Sequence, residues 1–192
     1  MAKISWPGST LLAPVPPALV TCGSGENANL LTIAWTGILN SKPPRTYISV
    51  RPERYSFDLI RESGEFVIHL PTAAMAAVTD TCGVISGRQG NKFEKCGLQT
   101  EPARVVNCPL LCDAPLALEC RVTQVIPMET HHVFIADIVA VDVEDSLVDA
   151  AGKLHLEKAD LLAYAHGDYF SLGKRLGKFG FSVQKKKKPR KK

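Results

Sequence analysis

Apolar residues along the chain fall into short runs, some alternating with polar residues and some unbroken, separated by Gly- and Pro-rich stretches. That pattern predicts strands more often than helices. Residues 18–22 form one β-type run, and residues 30–35 form a second after the turn-rich Gly23-Ser24-Gly25-Glu26-Asn27, so the two predict a hairpin. After a break at Pro43-Pro44, residues 46–50 and 65–70 predict a third and a fourth strand. Between them, Tyr55, Leu59 and Ile60 stand at i, i+4 and i+5, an amphipathic helix over 55–63 closed by Gly64. An Ala-rich helix follows over about 73–80.

The middle of the chain is loop-rich, with Gly83, Gly87, Gly90 and Gly97 and a helical turn or two over 91–96. Residues 116–126 and 133–143 are the two longest β-type runs, separated by Pro127-Met128-Glu129-Thr130, and predict a long antiparallel hairpin. A short helix near 157–162 precedes a Gly-punctuated segment to Val183, in which Leu-Gly-Lys recurs at 172 and 176, too briefly for a structural repeat. Six or more strands without regular β-α alternation argue against a doubly wound sheet. The expected fold is mainly β, an antiparallel barrel with flanking helices.

A length of 192 residues, 45% of them hydrophobic, suits one domain with a sizeable core, expected over residues 1–183. The net charge of +4 comes from the end of the chain. Residues 185–192, KKKKPRKK, hold seven of the 23 basic residues, leaving 16 basic against 19 acidic residues and a charge of −3 elsewhere. Residues 184–192 are therefore expected as a disordered basic tail, either merely solubilising or able to touch phosphate-bearing partners. The longest apolar run, residues 11–20, carries Pro14, Pro16 and Pro17 and is far short of the roughly 20 residues of a membrane span. With no signal-type apolar core at the start, a cytoplasmic protein without membrane attachment is expected.

The six cysteines (22, 82, 96, 108, 112 and 120) then read as reduced thiols. Cys108 and Cys112 lack the second close pair of a structural zinc site, and adjacent His131 and His132 on a strand would face opposite ways, so no metal is expected. No Walker loop, GxGxxG, HExxH or GxSxG occurs, nor a paired-carboxylate or Cys-His signature, and no catalytic side chain is assigned. The residues Ser49, Arg51, Arg54 and Ser56 lie in a strand-to-helix turn, where free backbone N–H groups suit an anion. From spacing alone, a capped helix with surface arginines is an equal reading.

One ordered set of short motifs goes further. Residues 29–35 (NLLTIAW), 41–44 (SKPP) and 48–56 (ISVRPERYS) resemble the flavin reductase-like family, whose members have the FMN-binding split-barrel fold. The resemblance continues through 64–68, 70–72, Cys82-Gly83, Ser86-Gly87-Arg88, Asn91-Lys92-Phe93, 118–120, His131 with Phe134, and 176–182, and so covers most of residues 12–183. It is nearest to the flavoredoxins within that family.

The resemblance implies an antiparallel split β-barrel, non-covalent FMN and a homodimer. It favours phosphate at the arginine-serine turn, with the hydroxyl of Ser56 and the backbone at Val50–Arg51 ahead of the side chains of Arg51 and Arg54, and with Ser49 beside them. Asn29 and Thr32 match positions at the ribityl chain or the polar ring edge. Ala34 and Trp35 would offer backbone and a flat face to the ring, although Trp35 otherwise suits the core. Ser86 and Lys92 belong to a loop near the phosphate or ring edge, where Lys92 is otherwise a solvated lysine. His131 corresponds to a histidine beside the isoalloxazine, and Tyr164 to an aromatic reaching the partner subunit's flavin, or else to an anchor of a C-terminal helix. His132 and Ala136 depart from the family's usual small hydroxyl residue and glycine. The implied function is electron transfer from NADH, NADPH or a redox protein through FMN to a protein or small-molecule acceptor. Two other readings are a nucleic-acid-binding barrel acting through its basic tail without a cofactor, and a split barrel that has lost FMN. The scattered aromatics make nucleic acid the weaker partner.

Overall fold

A computed structural model describes residues 1–183, so the expected basic tail lies outside the described residues. Seven strands make one antiparallel sheet: β1 Ala18–Cys22, β2 Asn29–Ile33, β3 Thr36–Ser41, β4 Pro44–Val50, β5 Glu65–Leu70, β8 Leu116–Pro127 and β9 His132–Val143, in the order β2-β1-β5-β8-β9-β4-β3. Two small hairpins complete the strands, β6 Thr100–Pro102 with β7 Pro109–Leu111, and β10 Leu162–Ala165 with β11 Asp168–Ser171. The helices are α1 Ser56–Ser63, α2 Ala76–Val84 and α3 Lys92–Lys95.

The sheet curls around its own core. Leu31 and Ile33 of β2 share one buried cluster with Ile48 and Val50 of β4, although these strands stand near opposite ends of the sheet order. Val20, Phe66, Cys120 and Phe134 fill the space between, and Phe57 and Ile60 of α1 close it. Alternation along each strand selects these inward residues. Strand β1 is buried throughout because its other face, with Leu30 of β2, lies under a second cluster of Met75, Cys82, Phe93 and Leu98 supplied by α2, α3 and their flanks. Among the described residues no ladder joins β2 to β3, so the barrel stays open at that seam. The mainly β, antiparallel architecture agrees with expectation.

His69 of β5 is fully buried and satisfied on both nitrogens, Nδ1–H donating to the Leu19 carbonyl at 3.1 Å while Nε2 accepts the Leu111 N–H at 3.0 Å. Burial depresses its pKa to about 4, which keeps it neutral, the form these two bonds require. It pins β5 between β1 and β7.

Three local expectations need correction. The run expected over 30–35 ends at Ile33, and an unforeseen strand, β3, follows. Its residues lack alternation because it is an edge strand with four exposed positions, so burial imposes no period. Pro43-Pro44 is the tip of the β3–β4 hairpin, with Ser41 opposite Pro44, and the first residue of a strand tolerates a proline that lacks a donor. The helix expected near 157–162 is only a 3-10 turn, Leu156–Lys158, and the chain then enters β10, so Tyr164 stands on a strand. The β10–β11 turn is His166-Gly167, both with positive φ (50° and 99°), as a two-residue hairpin turn demands.

Candidate functional site

The open seam and the helix that caps it form a trough. Two adjoining hollows, about 280 and 480 Å³, share Leu31, Arg51 and Arg54, and together they lie in the range of small-molecule sites, roughly 300–1,000 Å³. The first is lined by Thr32, Ala34, Trp35, Ser49, Val50, His131 and Tyr164 besides the two arginines. The second is lined by Asn29, Ser56, Ser86 and Lys92 with the same arginines. All thirteen residues singled out in the sequence thus come to one place.

The second hollow is cationic and its polar floor is already organised. Ser56 opens α1 and is buried, and its Oγ accepts from Asn29 Nδ2 at 2.6 Å, with the Cys22 sulfur also within reach of the hydroxyl. No side chain caps α1, and of its first N–H groups Phe57 N–H donates to the Arg54 carbonyl at 2.9 Å, while the helix start favours an anion. Arg54 Nη1 donates to the Gly83 carbonyl at 2.9 Å. Arg88, which the sequence reading left out of the site, donates from Nη1 to the Glu53 carbonyl at 3.1 Å and lies 5.7 Å over the Tyr55 ring. Arg51 is balanced in part by Glu53 at 3.6 Å. Ser86 Oγ accepts from Arg88 N–H at 3.3 Å, so Ser86 shapes the loop that carries Arg88.

Lys92 is only 3% exposed. Its Nζ donates to the carbonyls of Leu30 and Cys82, each at 2.8 Å, which ties α3 to β2 and to the end of α2. Burial lowers its pKa. It is therefore a buried strut beneath the hollow rather than a solvated lysine, and one N–H remains beyond its two carbonyl partners. Gly87 is sterically required here, because a Cβ would come within 2.3 Å of Tyr55 Cδ1 and 2.6 Å of Asn29 Oδ1.

The first hollow is aromatic. Trp35 stands at the seam after β2, its carbonyl accepting Ser49 N–H at 2.9 Å, and its ring lies 4.5 Å from that of His131, tilted by 42°. Trp35 is 45% exposed and does not belong to the core. His131 comes from the β8–β9 turn and bonds through Nδ1 to Thr130 Oγ1 at 2.8 Å. Burial, then the positive charge of Arg51, lowers its pKa, which favours a neutral imidazole. Tyr164 reaches this hollow from its own chain and packs 5.3 Å from Tyr169, whose hydroxyl donates to Asp80 Oδ1 at 3.4 Å. Asp80 and Tyr169 were not anticipated, since β10–β11 has no motif of its own, and Gly83 lay in the Cys82-Gly83 motif without being assigned to the site.

Comparison with known proteins agrees with this geometry. Residues 11–173 match the flavin reductase like domain, and the chain belongs to that family. It is similar to the flavoredoxin of Desulfovibrio vulgaris (Miyazaki F), with 30% identity, a TM-score of 0.88, and coverage of 95% of this chain and 100% of the other. It is also similar to an FMN-binding protein from Thermus thermophilus, with 25% identity, a TM-score of 0.74, and coverage of 89% and 93%. An NADPH-flavin oxidoreductase of Streptomyces viridifaciens is 28% identical over 77% of each chain. No helix among the described residues is long and apolar enough to cross a membrane.

Proposed function

We propose that this protein binds FMN non-covalently in the trough and passes electrons from NADH, NADPH or a redox protein to an acceptor, which is an oxidoreductase or carrier role. The observation that carries this reading is the joining of a cationic hollow and an aromatic hollow through Leu31, Arg51 and Arg54. FMN has the same two-ended chemistry, a phosphate with close to two negative charges and a flat ring.

The residues fit that group. Arg51, Arg54, Arg88, the Ser56 hydroxyl and the uncapped start of α1 make a donor set for a phosphate, and Gly87 lets Tyr55 and Asn29 pack where a Cβ would collide with them. Asn29 and Thr32 suit the polar chain between, and Ala34 and Trp35 suit the ring. When bound, FMN supplies hydride acceptance and single-electron transfer. The chain's own work is to orient the cofactor, to set the charge around it, and to cover one face with Trp35. A neutral His131 beside Trp35 can take up a proton at its imidazole as charge beside it changes.

A homodimer suits the terminal segments, where Leu11, Leu12, Leu172, Leu176 and Phe179 are exposed. Six free cysteines suit a reducing, cytoplasmic setting. The test is the visible spectrum of the purified protein, with mass analysis of ligand released on denaturation. An oxidised flavin spectrum with FMN near one per chain is the expected result. Anaerobic bleaching by NADH or NADPH then marks a reductase, and bleaching only by a reduced redox protein marks a carrier. A colourless protein that refuses added FMN overturns the reading.

A further inference from the structure

Below the cationic hollow lies a pair of thiols that electron transfer through FMN does not use. Cys82, in the last turn of α2, and Cys96, which follows α3, face each other with their sulfurs 3.7 Å apart. Cys82 is buried and Cys96 is half-buried, so Cys96 is the more accessible of the pair. A disulfide needs about 2.05 Å, so the two sulfurs must close by about 1.7 Å.

The backbone beside Cys82 holds two of the cations of the site. Its own carbonyl accepts from Lys92 Nζ at 2.8 Å, and the next carbonyl, of Gly83, accepts from Arg54 Nη1 at 2.9 Å. Lys92 opens α3 while Cys96 lies just past its end, so one short helix carries a strut of the site and the more accessible sulfur. Gly83 also lines the aromatic hollow, where a Cβ would already lie 3.3 Å from Thr32 Cβ. Closing the sulfurs therefore pulls on the peptide that fixes Lys92 and Arg54.

We propose that Cys82 and Cys96 form a dithiol–disulfide couple whose oxidation loosens the phosphate end of the trough. The consequence for FMN rests on the function proposed above; the couple itself does not. With a small disulfide such as glutathione disulfide as oxidant, the Cys96 sulfur attacks one glutathione sulfur and releases the first glutathione. The Cys82 sulfur then attacks Cys96 in the mixed disulfide and releases the second. The protein pair loses two electrons and two protons, and one glutathione disulfide becomes two glutathiones. Burial, with the neighbouring Cys96, pushes the Cys82 thiol up to about 12, which leaves the first attack to the more accessible Cys96 and makes the second step the slower one.

The experiment treats the reduced full-length chain with glutathione disulfide, maps linked peptides by mass, and titrates FMN before and after. The expected result is a Cys82–Cys96 linkage two hydrogens lighter and FMN binding weaker by about tenfold, as for one charge-assisted hydrogen bond displaced. Cys96→Ser should abolish both the linkage and the oxidant's effect on FMN while leaving FMN affinity in the reduced state unchanged. Exposed Cys112 serves as the internal control for oxidant access. The couple is overturned if Cys112 carries glutathione while Cys82 and Cys96 remain unlinked, and the coupling is overturned if linkage forms with unchanged FMN affinity. If the reduced chain binds no FMN at all, it is the FMN reading that fails. The linked peptides still decide the couple, and amide hydrogen exchange over residues 76–96 reads the loosening, expected as faster exchange after oxidation.

Discussion

The two ends of the trough are built on different principles. At the cationic end, Asn29, Ser56 and Lys92 are each buried, and bonds join Asn29 to Ser56 and Lys92 to two backbone carbonyls before any ligand arrives. At the aromatic end, Trp35 is half-open to solvent and meets His131 only through a tilted ring contact, and Tyr164 and Tyr169 stand on a two-stranded hairpin. The first end is a rigid socket whose side chains are held in place in advance, with donors left over for a ligand. The second is a set of surfaces that gain contacts when something flat lies on them. A ligand's affinity should therefore reside at the first end, and its reactivity should be set at the second.

The most severe way to test that division is to spoil the socket's shape without removing a charge. Gly87→Val places side-chain carbon where Tyr55 and Asn29 already stand. Overpacking of this kind costs roughly 1–3 kcal/mol and would also displace Asn29 from Ser56, so FMN affinity should fall about a hundredfold. Titration of the apoprotein with FMN, followed by flavin fluorescence, measures it. Affinity within twofold of the parent would mean that phosphate is held elsewhere. Arg54→Ala is the next largest, because it removes a guanidinium that Gly83 orients. About ten- to a hundredfold weaker FMN binding is expected, with a shallower dependence on salt. A loss that does not depend on ionic strength would place Arg54 outside the phosphate's reach.

The same contrast governs how much was legible in the sequence. The strand-to-helix turn from Ser49 to Ser56 could be picked out as a candidate anion site, because a helix start and its arginines are local in the chain. Spacing alone left a capped helix with surface arginines as an equal reading, and only the family resemblance favoured phosphate. The long hairpin of β8 and β9 was equally plain, each strand being 12 residues of β-type pattern. The edge strand β3 was not, because exposure on an edge removes the period that marks a strand. Tyr169 and Asp80 were invisible for another reason. They meet across a sequence separation of 89 residues and are paired by tertiary packing alone. For Lys92 it is the solvated-lysine alternative that the structure corrects, since the side chain is buried. Nothing local tells a buried strut from a solvated lysine, since its two carbonyl partners come from β2 and α2.

Removing Trp35 should cost binding little and reactivity more. The Trp35 ring contributes a face rather than a charge, and an aromatic contact is worth roughly 0.5–1.5 kcal/mol. Trp35→Ala should therefore weaken FMN by only about two- to tenfold, less than Arg54→Ala. The variant's reduced flavin should reoxidise faster in air, because one face of the ring is no longer covered. Stopped-flow reoxidation compares the two variants directly. If Trp35→Ala lost more FMN than Arg54→Ala, the division of labour between the ends would be reversed.

The smallest expected effect is also the finest probe of the aromatic end. Burial first, and then the Asp80 carboxylate, push the Tyr169 hydroxyl up from 10.0 to about 12, because an anion beside a phenol opposes its ionisation. Asp80→Asn removes the charge and leaves the burial. The ionisation of Tyr169 should move down toward 10.0 without reaching it, measured as phenolate absorbance against pH in the parent and the variant. The phenol stays neutral at pH 7 in both proteins, so FMN affinity there should stay within about twofold. An unshifted titration would mean that the 3.4 Å contact between Tyr169 and Asp80 carries no electrostatic weight and that the β10–β11 hairpin is held over the hollow by packing alone. A shifted titration with weaker FMN binding would instead mean that the hairpin is latched by this pair and helps to hold the ring, so that the aromatic end shares in the affinity the cationic end was expected to supply.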